Sequence, residues 1–134
     1  MPHFIVEYSA NIEKELDLPA FLPKIRDKAV ETGVFPLGGV RVRAARRDHY
    51  VVADGAPENA FVHVTARLRE GRPFEVRKEA GNAIFEVICD HLQPIFDSRP
   101  LGISFEMQEI DMDFNFKKNN LHRIMREKYP EKNL

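Results

Sequence analysis

The sequence predicts an α/β fold: two strand–helix–strand units forming one four-stranded mixed sheet, with two helices on one face. Four segments alternate apolar and polar residues with a period of two, and two repeat apolar residues at helical spacing. Their order is strand, helix, strand, then strand, helix, strand. A crossover helix between consecutive strands makes the two strands of each unit parallel.

The first strand begins at Pro2-His3-Phe4-Ile5-Val6-Glu7, where Phe4 and Val6 alternate with Ile5 and Glu7. Ser9 to Asp17 is polar. Asp17-Leu18-Pro19 then carries helix-start chemistry, with Asp17 expected to accept a bond from a free amide and Pro19 suited to the first turn. Phe21, Leu22, Ile25, Ala29 and Val30 form the apolar stripe, and Thr32-Gly33 ends the helix. After the turn Phe35-Pro36-Leu37-Gly38-Gly39, the segment from Val40 to Ala44 puts Val40 and Val42 on one face and Arg41 and Arg43 on the other. This first unit covers about 2–46 of a single 1–134 domain.

Residues 48–59 are a connecting excursion, with a tight turn at Asp54-Gly55 and a short extra strand expected at Tyr50-Val51-Val52. The second unit covers about 60–109: a strand from Ala60 to Leu68, the turn Glu70-Gly71-Arg72-Pro73, a long helix, and a strand from Gly102 to Met107. Val76, Ala80, Ala83, Ile84, Val87, Ile88 and Leu92 supply the helix's apolar stripe. Pro94 is expected to kink or break it. The remaining 110–134 read as an arm that packs on a neighbour or on the pocket. The helix-free face of the sheet is expected to carry Phe4 and Val6 or their neighbours, and an uncovered apolar face needs a partner, so a homo-oligomer is expected.

Twenty basic residues stand against 21 acidic ones, a net charge of -1, which gives no electrostatic reason to expect nucleic acid or an anionic membrane. No apolar run is long enough to span a bilayer, and cytoplasm is the expected compartment. Cys89 is the single cysteine, so neither a disulfide framework nor a thiolate metal cluster is available. His3, His49, His63, His91 and His122 show no paired metal spacing, and no phosphate-cradling glycine motif or nucleophile elbow occurs.

Three residues carry the candidate chemistry. Removal of Met1 would leave Pro2 as a secondary amine held at the head of a strand, and an α-amino group needs only a modest push to be a base at neutral pH. Arg41, one step into the second strand, should lie beside Pro2, because both strands of the unit begin at the same end. Its charge disfavours a protonated amine and grips carboxylates. Arg72 stands before the long helix, and reaches the same end if the two units pack antiparallel. The amides around Gly38, Gly39 and Val40 are candidates for substrate contact, and Phe35, Phe114 and Phe116 for an apolar wall.

Pro2, the run from Val34 to Arg43, Ala53-Asp54-Gly55, Ala60-Phe61-Val62-His63, Gly71-Arg72 and the tail from Asn115 to His122 together resemble the 5-carboxymethyl-2-hydroxymuconate isomerase family of the tautomerase superfamily. The resemblance implies a homotrimer with sheets wrapped round a central axis, catalysis by Pro2 with Arg41 and Arg72, and no metal or organic cofactor. It also implies isomerisation of a dicarboxylate or tricarboxylate dienol to its conjugated keto form, in homoprotocatechuate catabolism. Two other readings are a related tautomerase or lyase acting on another keto acid, and a non-catalytic trimeric binding module.

Overall fold

The computed structural model describes residues 2–131. Four strands, β1 (His3–Ser9), β2 (Arg41–Arg47), β3 (Ala60–Arg69) and β4 (Leu101–Ile110), form one sheet in the order β2-β1-β3-β4. β1 runs parallel to β2, and β3 runs parallel to β4. The two pairs meet antiparallel at β1 and β3. The helix α2 (Leu18–Glu31) crosses from β1 to β2, preceded by a short turn α1 (Glu13–Leu16), and α3 (Phe74–Ser98) crosses from β3 to β4. The last helix, α4 (Leu121–Lys128), belongs to the arm.

Both crossover helices lie on one face. Phe4, Val6 and Tyr8 of β1 and Val62, Val64, Ala66 and Leu68 of β3 are buried against Phe21, Ile25 and Ala29 of α2 and Ala80, Ile84, Ile88 and Leu92 of α3. His91 joins the two helices: its ring stacks on Phe21 at 4.4 Å, and its Nε2 lies 2.8 Å from the Leu16 carbonyl.

Several expectations are corrected. Phe4 and Val6 face the helices, so the open face of the sheet is not apolar. Alternation and register put His3, Glu7, Arg41, Arg43, Arg47, His63, Arg67, Ser104, Glu106 and Gln108 there, with Ile5 and Thr65 between them. Any partner on that face therefore meets charge and hydrogen-bonding groups. The break expected at Pro94 does not occur: α3 continues through it to Ser98, the proline falling in the last turns, where it removes one internal bond while Ile95 stays buried in the core. Asp17 stands at the N-cap of α2 with φ 49° and makes no side-chain capping bond; the Asp17 carbonyl accepts from Ala20 and Phe21 instead. Tyr50-Val51-Val52 forms no strand. Its loop is tied down by Asn59, whose Nδ2 donates to the Val52 carbonyl and to Asp54.

Gly33 (φ 76°) and Gly55 (φ 83°) hold the left-handed conformations that the two expected turns require.

Candidate active site

The parallel start of β1 and β2 brings Pro2 and Arg41 together. His3 pairs with Arg41, and the Arg41 amide donates to the Pro2 carbonyl at 3.0 Å. Pro2 is buried, and the Met1 whose removal would free its nitrogen lies outside the described residues. Arg41 leaves the open face of β2 and curls back over the end of the sheet. Its Nη1 donates to the carbonyls of Gly38 at 2.9 Å and Val40 at 3.3 Å.

Arg72 arrives at the same end because β3 runs antiparallel to β1, with Arg67 opposite His3. Its guanidinium donates to the carbonyls of Arg69 at 2.9 Å and Val34 at 3.3 Å, and lies 5.1 Å from the centroid of the Phe35 ring. Phe35 in turn meets Phe4 edge to face at 5.9 Å, two residues after Pro2. A chain of contacts thus joins Arg72 to the strand that Pro2 heads. Burial, and then the charge of Arg69, lower the Arg72 pKa from its ordinary value.

The remaining candidates divide. Phe35 is buried and forms part of the site's floor. Gly39 and Val40 stand beside Arg41, but their amides are committed within the turn, donating to the carbonyls of Pro36 at 3.0 Å and Leu37 at 3.2 Å. Phe116 is 87% exposed and Phe114 is 77% exposed, so neither walls the site within one chain.

Two further residues come into view only in three dimensions. Arg67 sits beside His3 on the open face, a placement that requires the register between β1 and β3. His122, at the first turn of α4, lies against Gly38: a Cβ built on that glycine would stand 2.7 Å from the His122 Cα and 3.0 Å from its Nδ1. The only sequence signal for this contact was the tail motif itself.

Arg77, which donates to the Arg72 carbonyl, pairs with Glu109, but five other arginines at this end lack acidic partners. Among the described residues, Arg41, Arg43, Arg67, Arg69 and Arg72 make no ion pair with a carboxylate, although eight ion pairs occur elsewhere or with other residues. The two histidines here report the resulting field. Burial first, then the charges of Arg43 and Arg41, lower the pKa of His3. Burial first, with Arg41 among the surrounding cations, lowers that of His122. This is a region where a multiply charged anion is favoured and a protonated amine is disfavoured. Among the described residues no group of three or more histidine, cysteine or acidic side chains is arranged to hold a metal ion. No helix among them is long and apolar enough to cross a membrane.

The sheet order, paired crossovers and helix-covered face define the tautomerase-like fold. A solved fused 4-OT trimer shares it at a TM-score of 0.63 and 22% identity, over 87% of this chain and 93% of that one. The model of the 5-carboxymethyl-2-hydroxymuconate isomerase family matches residues 2–125. The Escherichia coli 5-carboxymethyl-2-hydroxymuconate Delta-isomerase is 43% identical over 126 residues, 94% of this chain and all of that one. The crystal structure of a 5-carboxymethyl-2-hydroxymuconate isomerase from Deinococcus radiodurans R1 superposes with a TM-score of 0.87 at 38% identity, over 93% of this chain and 94% of that one. The chain belongs to the 5-carboxymethyl-2-hydroxymuconate isomerase family, and it is an isomerase.

Proposed function

We propose that this isomerase converts 5-carboxymethyl-2-hydroxymuconate to its conjugated keto isomer, in homoprotocatechuate catabolism, with Pro2 as the proton carrier. The observation that carries the reading is the meeting of the buried Pro2 with Arg41 and Arg72 at an end of the sheet where no carboxylate pairs with those arginines. With Met1 removed, the neutral Pro2 nitrogen takes the proton from the substrate's 2-hydroxyl. The dienolate left behind is reprotonated at carbon by the same group. General acid–base transfer of this kind contributes roughly 10²–10⁴-fold.

Holding the dienolate's charge supplies the rest, and this is the part for Arg41 and Arg72. Their carbonyl contacts fix each guanidinium by part of its donor set, leaving other N–H groups to a substrate carboxylate. Phe35 lowers the local dielectric beside Arg72. The reaction needs neither metal nor organic cofactor: the proton that leaves oxygen is the one returned at carbon.

The working form in this reading is a homotrimer. The polar open face and the exposed Phe114 and Phe116 support it, as surfaces suited to a neighbouring copy. Gly39, Val40 and Phe116 keep a part in substrate binding there, the first two by shaping the turn and Phe116 as a residue offered to an adjoining site.

The test is turnover of 5-carboxymethyl-2-hydroxymuconate beside a simple enol such as phenylenolpyruvate. A higher kcat/KM on the former is expected. Turnover of the simple enol alone overturns the assignment and favours a related tautomerase.

A further inference from the structure

We propose that α4 positions the Arg41 guanidinium by bracing Gly38, with His122 as the contact that sets the brace. The inference rests on Arg41 belonging to the site proposed above. The structural chain is short. Arg41 Nη1 donates to the Gly38 carbonyl at 2.9 Å, and the turn carrying that carbonyl is closed by the bonds from Gly39 to Pro36 and from Val40 to Leu37. On its other side Gly38 has no free space: a Cβ would stand 2.7 Å from the His122 Cα, 2.8 Å from its amide nitrogen and 3.0 Å from its Nδ1. Real Cβ atoms are not found that close to backbone, so α4 or the turn must move if Gly38 gains a side chain. Gly38 does not hold a left-handed φ, so the cost of alanine there is this contact and not backbone strain.

The brace is separable from the core. α4 buries none of its own residues, whereas the sheet and α2 and α3 hold the apolar cluster. Its start is set by Asn119, whose Oδ1 accepts from the Leu121 amide at 2.6 Å. The Nδ2 of the same side chain is buried without an acceptor among the described residues, so this i to i+2 bond is held at the expense of an unmade one. A helix held by the Asn119 bond, the close approach to Gly38 and the half-buried Ile124 and Met125, with none of its residues in the core, can shift without unfolding the sheet. The Gly38 carbonyl, and with it Arg41, would shift too.

The experiment is steady-state kinetics on 5-carboxymethyl-2-hydroxymuconate for Gly38→Ala, Asn119→Ala, Arg41→Ala and the two double variants that include Arg41→Ala. Gly38→Ala is expected to raise KM about tenfold with a smaller change in kcat, the scale of one misplaced charge-assisted bond. Asn119→Ala, which removes the bond to the Leu121 amide at the start of α4, moves KM the same way by about threefold. On an Arg41→Ala background neither substitution costs anything further, because the group they position is gone. A merely structural defect would cost the same on either background.

Wild-type KM in both single variants, or full additivity with Arg41→Ala, overturns the inference and leaves the functional reading standing. Wild-type kinetics in Arg41→Ala alone sinks the functional reading and the inference with it. Thermal melts run in parallel identify a variant that does not fold; if Gly38→Ala fails in this way, Asn119→Ala decides.

Discussion

At the end of the sheet where β1 finishes, polar groups are spent on one another. Ser9 Oγ accepts from the Phe61 amide at 3.0 Å, Asn11 Nδ2 donates to the carbonyls of Pro57 and Asn59, and Arg99 donates to the Asn11 carbonyl. Arg46 pairs with Glu13 and Asp48, and Arg47 pairs with Glu7. At the end where β1 starts, Arg41 and Arg72 donate only to carbonyls, Arg72 also lies over the Phe35 ring, and Arg43 meets the ring of His3. One end spends most of its polar groups within the chain, with the buried Asn11 Oδ1 left without a partner among the described residues, and holds the long connection in place. At the other, Arg77 pairs with Glu109, but Arg41, Arg43, Arg67, Arg69 and Arg72 stay free of acidic partners among the described residues, which is the state a site for an anion requires. Substitutions at the first end should act on stability, and substitutions at the second on turnover.

The largest expected effect tests that division. Arg72→Ala should lower kcat/KM by roughly 10²–10³, the usual cost of removing a group aimed at developing charge. Its melting temperature should fall only modestly, since the bonds to the Arg69 and Val34 carbonyls are lost but no ion pair is. A large drop in melting temperature with normal kinetics would make Arg72 a structural residue. At the opposite end, Ser9→Ala leaves the Phe61 amide without its acceptor and should cost about 1–3 kcal/mol in urea unfolding, with KM and kcat unchanged.

A third effect separates the two ends by pH. His3 and His122 both have a folded-state pKa below their ordinary 6.5, so the unfolded chain binds their protons more readily. Stability should therefore fall as pH drops below about 6.5 and level off below the folded-state values. Replacing both histidines with asparagine should flatten that slope, and an unchanged slope would show that neither group is linked to folding. The smallest effect belongs to the paired end: Arg46→Ala breaks two exposed ion pairs and should barely change the urea midpoint, an effect that salt reduces further.

The sequence made the sheet legible because alternation and helical spacing are local patterns. Arg41 could be placed beside Pro2 from the parallel crossover alone, and the register agrees. Arg72 needed one further assumption, the antiparallel meeting of the two units, and the structure supplies it at β1 and β3. The open face was misread because Phe4 and Val6 reveal that one face is apolar without saying which face the helices cover. The absence of a break at Pro94 has a different reason: a proline near a helix end removes one bond, and a buried neighbour such as Ile95 offsets that loss. The contact of His122 with Gly38 joins residues far apart in the chain and leaves no periodic trace. Phe116 left no local signal of its exposure, since an aromatic in a polar arm reads the same whether or not it packs back on its own chain.

The central claim, that a freed Pro2 nitrogen moves the proton, is tested most directly by separating protein that retains Met1 from protein that has lost it. Intact mass identifies each species, and turnover of 5-carboxymethyl-2-hydroxymuconate is measured on both. In the species that keeps Met1 the Pro2 nitrogen is an amide and has no basic lone pair, so turnover should reside wholly in the processed species. Equal turnover by the two would contradict the account.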